Sequence, residues 1–314
     1  MAVLALAITA CGQDLGKANF ARTTVPAAAD SGSASDGPIT DAAVAAEALR
    51  LIKPCQFLTK DALASLGTVA DDPSASSVAF DSCRNSVKDP GGKEIRIGLE
   101  LDSLVSEAFA GTTGTVGGLP LVVKGAGDSC VAAALTGRQP NRGIRLSIDY
   151  AGGDSCRVGQ TLIDAVVKKV HESPEKYDAA SGTLLAVDPC AALDASAVEG
   201  VEKSAKASPT AAHSCEWRNS SGPTITVTLK PGLAPIEGDG YQKVDLGSGV
   251  TGFKKLASNT NDCTVQWKHR NWAGENVEIA QVQYVNYSGK ADQDDPCGKA
   301  VTLAKNALGK LPKA

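Results

Sequence analysis

The residues with the most chemistry in this 314-residue chain are its nine cysteines. They stand at 11, 55, 83, 130, 156, 190, 215, 263 and 297, one near the start and then two sets of four. None has the C-x-x-C or Cys/His spacing of a zinc site, and three scattered histidines add no ligand cluster, so no metal and no cofactor is expected. Two even sets read instead as disulfides, which form and persist outside a reducing cytoplasm. Four cysteines allow three pairings. The sequential one is expected, Cys55–Cys83 with Cys130–Cys156 and Cys190–Cys215 with Cys263–Cys297, because each tie then pins a helix start to a neighbouring strand. Each closed loop of roughly 25 to 35 residues contributes about 3 kcal/mol.

Catalytic patterns do not emerge. There is no G-x-S-x-G and no H-E-x-x-H, and only His171, His213 and His269 could serve as bases. His171 ends a helical stripe, where it meets the negative end of the helix dipole. His213 precedes a disulfide cysteine, and His269 lies in Lys268-His269-Arg270 at a strand end. Asp71-Asp72 and Asp294-Asp295 read as solvated loop charge. Gly247-Ser248-Gly249-Val250-Thr251-Gly252 spells G-x-G-x-x-G, but a dinucleotide site needs a helix after it in a βαβ unit. Here Phe253-Lys254-Lys255-Leu256 follows, so a glycine-rich turn between strands is expected. No catalytic residue is assigned, and the chain is read as a non-enzyme.

Binding residues are the other candidates. All three tryptophans lie in the second half. Trp217 and Trp267 are two and four residues from Cys215 and Cys263, so on strands each shares its cysteine's face and fills core. Their first-half counterparts are Asn85 and Ala134, which predicts a looser, partly polar pocket there and makes that half the expected small-ligand site. Arg270-Asn271-Trp272-Ala273-Gly274 reads as a hairpin turn. Trp272 with Arg270 is therefore the candidate partner-facing tip.

These residues are positioned by a duplication. Pro189-Cys190 repeats Pro54-Cys55 135 residues later. Each Pro-Cys leads through a short helix, a cysteine strand, an alternating strand and a second cysteine strand to a cysteine-headed helix. Thr59 caps a helix over 60–66, Val78 to Cys83 is a strand, and Ile95, Ile97, Leu99 and Leu101 alternate with polar residues. Val158, Leu162, Val166 and Val170 share a helical stripe after Cys156. In the second copy Asp194 caps a helix, Ile225, Val227 and Leu229 form the alternating strand, and Val301, Ala304, Leu308 and Leu311 mark the last helix. The expected fold is α+β, two tandem repeats of a mostly antiparallel sheet, each with N- and C-terminal helices and two disulfides. The repeats are placed at 51–175 and 188–314 with a linker at 176–187.

The net charge of −4 argues against nucleic acid or a polybasic membrane binder. Past the extreme N-terminus no apolar run reaches the roughly 18 residues of a membrane helix. Residues 1–10 end in Ile8-Thr9-Ala10-Cys11, which resembles the lipobox of bacterial lipoproteins. The resemblance implies a lipoprotein signal peptide over 1–10, shortened relative to its true start, and a diacylglyceryl thioether on Cys11. Residues 11–50 would be a flexible tether rich in Ala, Ser, Gly and Asp, with a short helix capped by Thr40-Asp41 carrying Val44, Leu49 and Ile52. The partner is then the membrane, held by two or three acyl chains, on its extracytoplasmic face.

Asp188-Pro189-Cys190-Ala191-Ala192-Leu193, Ser214-Cys215-Glu216-Trp217 and Pro296-Cys297 together resemble the actinobacterial lipoproteins of the domain-of-unknown-function family 3558. More distantly they are similar to the extracellular sensor domain of mycobacterial receptor Ser/Thr kinases. Cys83-Arg84-Asn85 departs from the pattern, lacking the aromatic residue after the second cysteine. The resemblance implies an envelope lipoprotein and supplies no catalytic residues. The expected function is a binding or sensory module for a small ligand. The alternative is an envelope accessory protein that docks on another protein and holds no small ligand.

Overall fold

The computed structural model describes residues 37–106, 111–220, 222–258, 261–287 and 294–314. Cys11, with the expected leader and most of the expected tether, lies outside the described residues. Two seven-stranded antiparallel sheets and four disulfides make a mixed α+β protein of two β-rich units in tandem. Both sheets belong to one compact body, Ser33–Ala314.

The first sheet holds β1 (Ser74–Ala75), β2 (Ser82–Lys88), β3 (Glu94–Leu104), β4 (Gly114–Val116), β5 (Leu119–Ala126), β6 (Ser129–Gly137) and β7 (Arg142–Asp149). The second holds β8 (Lys206–Ala211), β9 (Ser214–Arg218), β10 (Thr224–Leu233), β11 (Gln242–Asp245), β12 (Thr251–Leu256), β13 (Asp262–Asn271) and β14 (Asn276–Val285). The strand orders are β1-β2-β3-β7-β6-β5-β4 and β8-β9-β10-β14-β13-β12-β11. These are the same order with each strand replaced by its counterpart seven positions on. In both sheets an N-terminal meander and a four-strand meander join where the last strand pairs with the third.

Alternation decides which face is buried. Ile95, Ile97 and Leu99 on β3 and Ile225, Val227 and Leu229 on β10 are at most 2 % exposed, while the residues between them meet solvent. Each buried face is covered by a long helix, α3 (Ser155–Glu172) on the first sheet and α5 (Pro296–Lys310) on the second. Asp154 and Asp295 cap them through bonds to Arg157 N and Gly298 N, leaving Cys156 and Cys297 in the first turn, facing Cys130 and Cys263. Two further disulfides, Cys55–Cys83 and Cys190–Cys215, tie the Pro-Cys turns at Pro54–Leu58 and Pro189–Ala191 to β2 and β9. Shorter helices are α1 (Ala46–Leu49), α2 (Lys60–Leu63) and α4 (Ala195–Val201).

Several expectations are corrected. Val44, Leu49 and Ile52 are buried in the first core, so the part of 11–50 from Asp41 onward belongs to the folded body. The segment 176–187 is not a free linker. Ile52 bridges Lys176, Tyr177 N bonds Leu51 O, and Leu184 and Leu185 are fully buried. Residues 76–81 form a loop instead of a strand, with Val78 64 % exposed. The sequence pattern also missed β4, β8 and β11, edge strands whose polar residues and Pro209 carry no alternation to read.

Candidate functional site

The outer faces of the two sheets differ in chemistry although their registers correspond. On the second sheet Thr224, Thr226, Thr228, Thr264, Gln266, Gln281 and Gln283 fill the middle of the face, with Glu216, Arg218, Lys230 and Asp262 around them. The first sheet brings charge to the centre of its face. Arg84, Arg96, Glu94, Glu100 and Asp149 rise around a floor made by Gly98 and Ser147, which pair directly across β3 and β7. Gly98 opens the floor, because a Cβ there would only just touch Ser147 Cβ at 3.9 Å. The exposed Asp71 and Asp72 add a wall beside β1, completing a cleft of about 580 Å³.

The cleft's charges are unevenly matched. Arg96 reaches both Glu94 and Asp149 at 3.9 Å, and Asp149 also accepts a 2.5 Å bond from Ser129 Oγ. Glu100 is held by Arg145 at 2.7 Å. Arg84 makes no side-chain bond among the described residues, and neither Asp71 nor Asp72 has an ion-pair partner there. Five carboxylates and two guanidinium groups around a polar floor are suited to a small solute carrying both signs of charge.

Asn85 lies at this cleft, and its Nδ2 donates to Leu58 O at 2.7 Å while Oδ1 accepts from Ser86 N. Ala134 lies elsewhere, fully buried beneath α3 among Ile144, Ile163 and Val166. The looser pocket expected at Ala134 is therefore filled, by branched side chains of α3 where α5 has alanines. Trp217 and Trp267 fill the second core, at 5 % and 1 % exposure.

Trp272 is corrected as an exposed tip. Its ring is half-buried, edge-on to Phe80 at 5.2 Å and Tyr177 at 5.5 Å, so its partner is the first repeat. Arg270 likewise turns inward, donating to Ser181 O at 3.0 Å and standing 3.8 Å from the fully buried Glu278. Glu278 in turn accepts from Thr183 Oγ1 and Leu184 N. The same junction buries Arg50, which donates to Ala212 O at 2.8 Å and whose pKa is lowered by desolvation. His213 packs edge-on to Phe80, its Nε2 3.1 Å from Leu185 O and its Nδ1 3.8 Å from Asp81. Burial also pushes the Tyr177 phenol up to about 12. These groups hold the repeats together. No local pattern signals this in sequence, because most of the partners lie far apart in the chain, in the other repeat or in the 176–187 segment.

Asp71 and Asp72 stand exposed at the cleft, while Asp294 and Asp295 are engaged by neighbouring groups. Asp294 is part-buried and accepts from Tyr284 Oη, Asn286 Nδ2 and Lys299 Nζ. Burial pushes its pKa up, but those three bonds outweigh it and leave it below the ordinary value. Asp295 caps α5. Gly247 and Gly249 sit at positive φ in the turn between β11 and β12, with no helix following. Among the described residues no cluster of His, Cys, Asp and Glu could hold a metal ion, and no helix is long and apolar enough to cross a membrane.

No known family and no curated protein matches the chain. Among solved structures it aligns with DynU16, a protein of the dynemicin biosynthetic locus, at 13 % identity over 84 % of this chain and 92 % of that one, with a TM-score of 0.16. It also aligns with MucB in complex with MucA(peri) at 12 % identity, 74 % and 88 % coverage and a TM-score of 0.17. The Pseudomonas aeruginosa MucA/MucB complex aligns at 11 % identity with the same coverage and a TM-score of 0.16. Scores this low do not define a shared fold.

Proposed function

We propose that this chain is a non-enzymatic binding or sensory module, displayed outside the cytoplasm and anchored by a lipid on Cys11. The mixed-charge cleft on its first sheet takes a small zwitterionic solute. The carrying observation is that cleft, where Arg84 is free for a carboxylate and the surplus of acids for an ammonium group. Four disulfides fit an extracytoplasmic domain. The lipobox resemblance supports the anchor, and the resemblance to family 3558 supports an envelope lipoprotein built from two copies of one helix-flanked unit.

Native mass spectrometry of the protein purified from its own organism tests this reading. A mass excess that disappears on denaturation, and is missing from Gly98→Phe, is the expected result. A bare mass for the native protein would overturn it.

A second reading, docking on an envelope protein, is favoured by exposed apolar residues beside the junction. Val78, Leu233 and Ile236 are 64 %, 70 % and 74 % exposed. The 76–81 loop meets the end of β10 there, since a Cβ on Gly232 would lie 3.8 Å from Ser77 O. Cross-linking through this edge in intact cells separates the two readings.

A further inference from the structure

The second repeat holds a different cavity, of about 480 Å³, between the end of α5, the segment 311–314 and the β11–β12 turn. Its apolar lining comes from Leu246, Val250, Trp267, Leu308 and Leu311. Lys268, Lys305 and Lys313 stand at its edge with His269, and no Asp or Glu side chain lines it. None of the three lysines has an ion-pair partner among the described residues, in a chain whose net charge is −4. His269 is already engaged, with Nε2 2.8 Å from Gly182 O.

Two further observations mark this place. The Trp267 indole is 1 % exposed, yet its Nε1–H has no acceptor among the described residues. An indole nitrogen is only a donor, and buried donors normally find a partner. The turn above it also differs from its counterpart in the first repeat. In the first repeat the matching β4–β5 turn is packed onto α3, where a Cβ on Gly117 would come 2.6 Å from Val167 Cγ1. In the second, a Cβ on Gly247 or Gly249 would meet nothing within 4 Å.

We propose that this cavity binds an amphiphilic anion, a single apolar chain ending in a carboxylate or phosphate. The chain lies against Leu246, Val250, Leu308 and Leu311, and the head group is held by Lys305 and Lys313. Lysine suits this arrangement, because its methylene stem covers apolar surface while its ammonium reaches the head group. The volume lies within the roughly 300 to 1,000 Å³ typical of small-molecule sites. The site is separate from the mixed-charge cleft, so either can fail without the other.

The test uses the full chain with its disulfides intact, in a Trp217→Phe/Trp272→Phe background that leaves Trp267 as the only fluorophore of its kind. Bromine-labelled dodecanoate, titrated below its micelle concentration, is expected to quench Trp267. Lys305→Glu/Lys313→Glu, two exposed changes, should weaken the apparent affinity at least about tenfold, the fold-change equivalent to 1.4 kcal/mol. Dodecyl phosphate should compete and dodecyltrimethylammonium should not. An Arg84→Glu change in the other cleft should leave the titration unmoved. Absence of quenching, or equal competition by the cationic amphiphile, would overturn the proposal. So would a titration indifferent to the lysine changes.

Discussion

The two repeats share one strand order yet build their cores with opposite size patterns. In the first, one core holds Ala132 and Ala134 of β6 with Ile163 and Val166 of α3, and Gly159 of α3 lies against Ala132. In the second, the corresponding positions are Val265 and Trp267 on β13 and Ala304 and Ala307 on α5, in a core that also holds Leu303. The exchange recurs at the Pro-Cys turns. Phe57 is buried in the first turn while Asn85 on β2 is polar, whereas Ala192 occupies the second turn and Trp217 lies on β9. A packed interior fixes the total volume more tightly than the element that supplies it, so a large residue can move from helix to strand or from strand to turn.

Removing the large member should have the greatest effect. Trp267→Ala is expected to cost about 3–5 kcal/mol, because it removes the largest fully buried side chain of the second core. Adding Ala304→Ile and Ala307→Val should recover part of that loss by installing the first repeat's pattern in the second. Urea denaturation of the three proteins measures both effects, and a loss below 1 kcal/mol for Trp267→Ala would break the comparison at its centre.

Enlarging the small member should cost less. Ala134→Leu is expected to destabilise by about 1–3 kcal/mol through overpacking against α3. Unchanged stability in the same assay would mean that the first repeat holds spare volume beneath its helix after all.

The smallest effect is one of pH, and it separates the repeats by their helix ties. His171 on α3 is joined to Asp41 at 2.6 Å, while Asp194 is joined to Lys310 on α5 at 2.7 Å. The hydrogen bond with Asp41 raises the His171 pKa above 6.5, and the same bond lowers Asp41 below 3.8. The histidine's contribution is fully present below pH 6.5 and fades as pH rises through its raised folded value. The aspartate's is present above pH 3.8 and fades as pH falls through its lowered folded value. A Tm comparison of the native chain with His171→Gln should therefore show its largest gap between those values and a shrinking gap above them. The pair is partly solvated, so the effect should stay under about 1 kcal/mol. A gap that grew toward pH 8 would contradict the assignment.

Much of the framework was legible in the chain itself. The doubled Pro-Cys landmarks, the alternation through Ile95–Leu101 and Ile225–Leu229, and the stripe after Cys156 each depend on neighbours a few residues apart. The polar edge strands were not legible, because backbone pairing alone makes them strands. Asn85 was singled out as a core-side counterpart of Trp217 and turns its side chain to Leu58 O, while the charged cleft lies on the outer face, with most of its walls from β3, β7 and the 70–73 loop, which only the register brings side by side.

Sequence by itself determined the repeat, the faces of the central strands and a cysteine count suited to two ties per unit. Those are properties of short-range pattern, since strand and helix periods reveal which side of an element must be buried. The tertiary structure alone decided that Trp272 covers Phe80 and Tyr177, that α3 fills the space over Ala134, and that three lysines gather at an apolar cavity beside Trp267. Each depends on surfaces far apart in the chain meeting at a distance that no local pattern encodes.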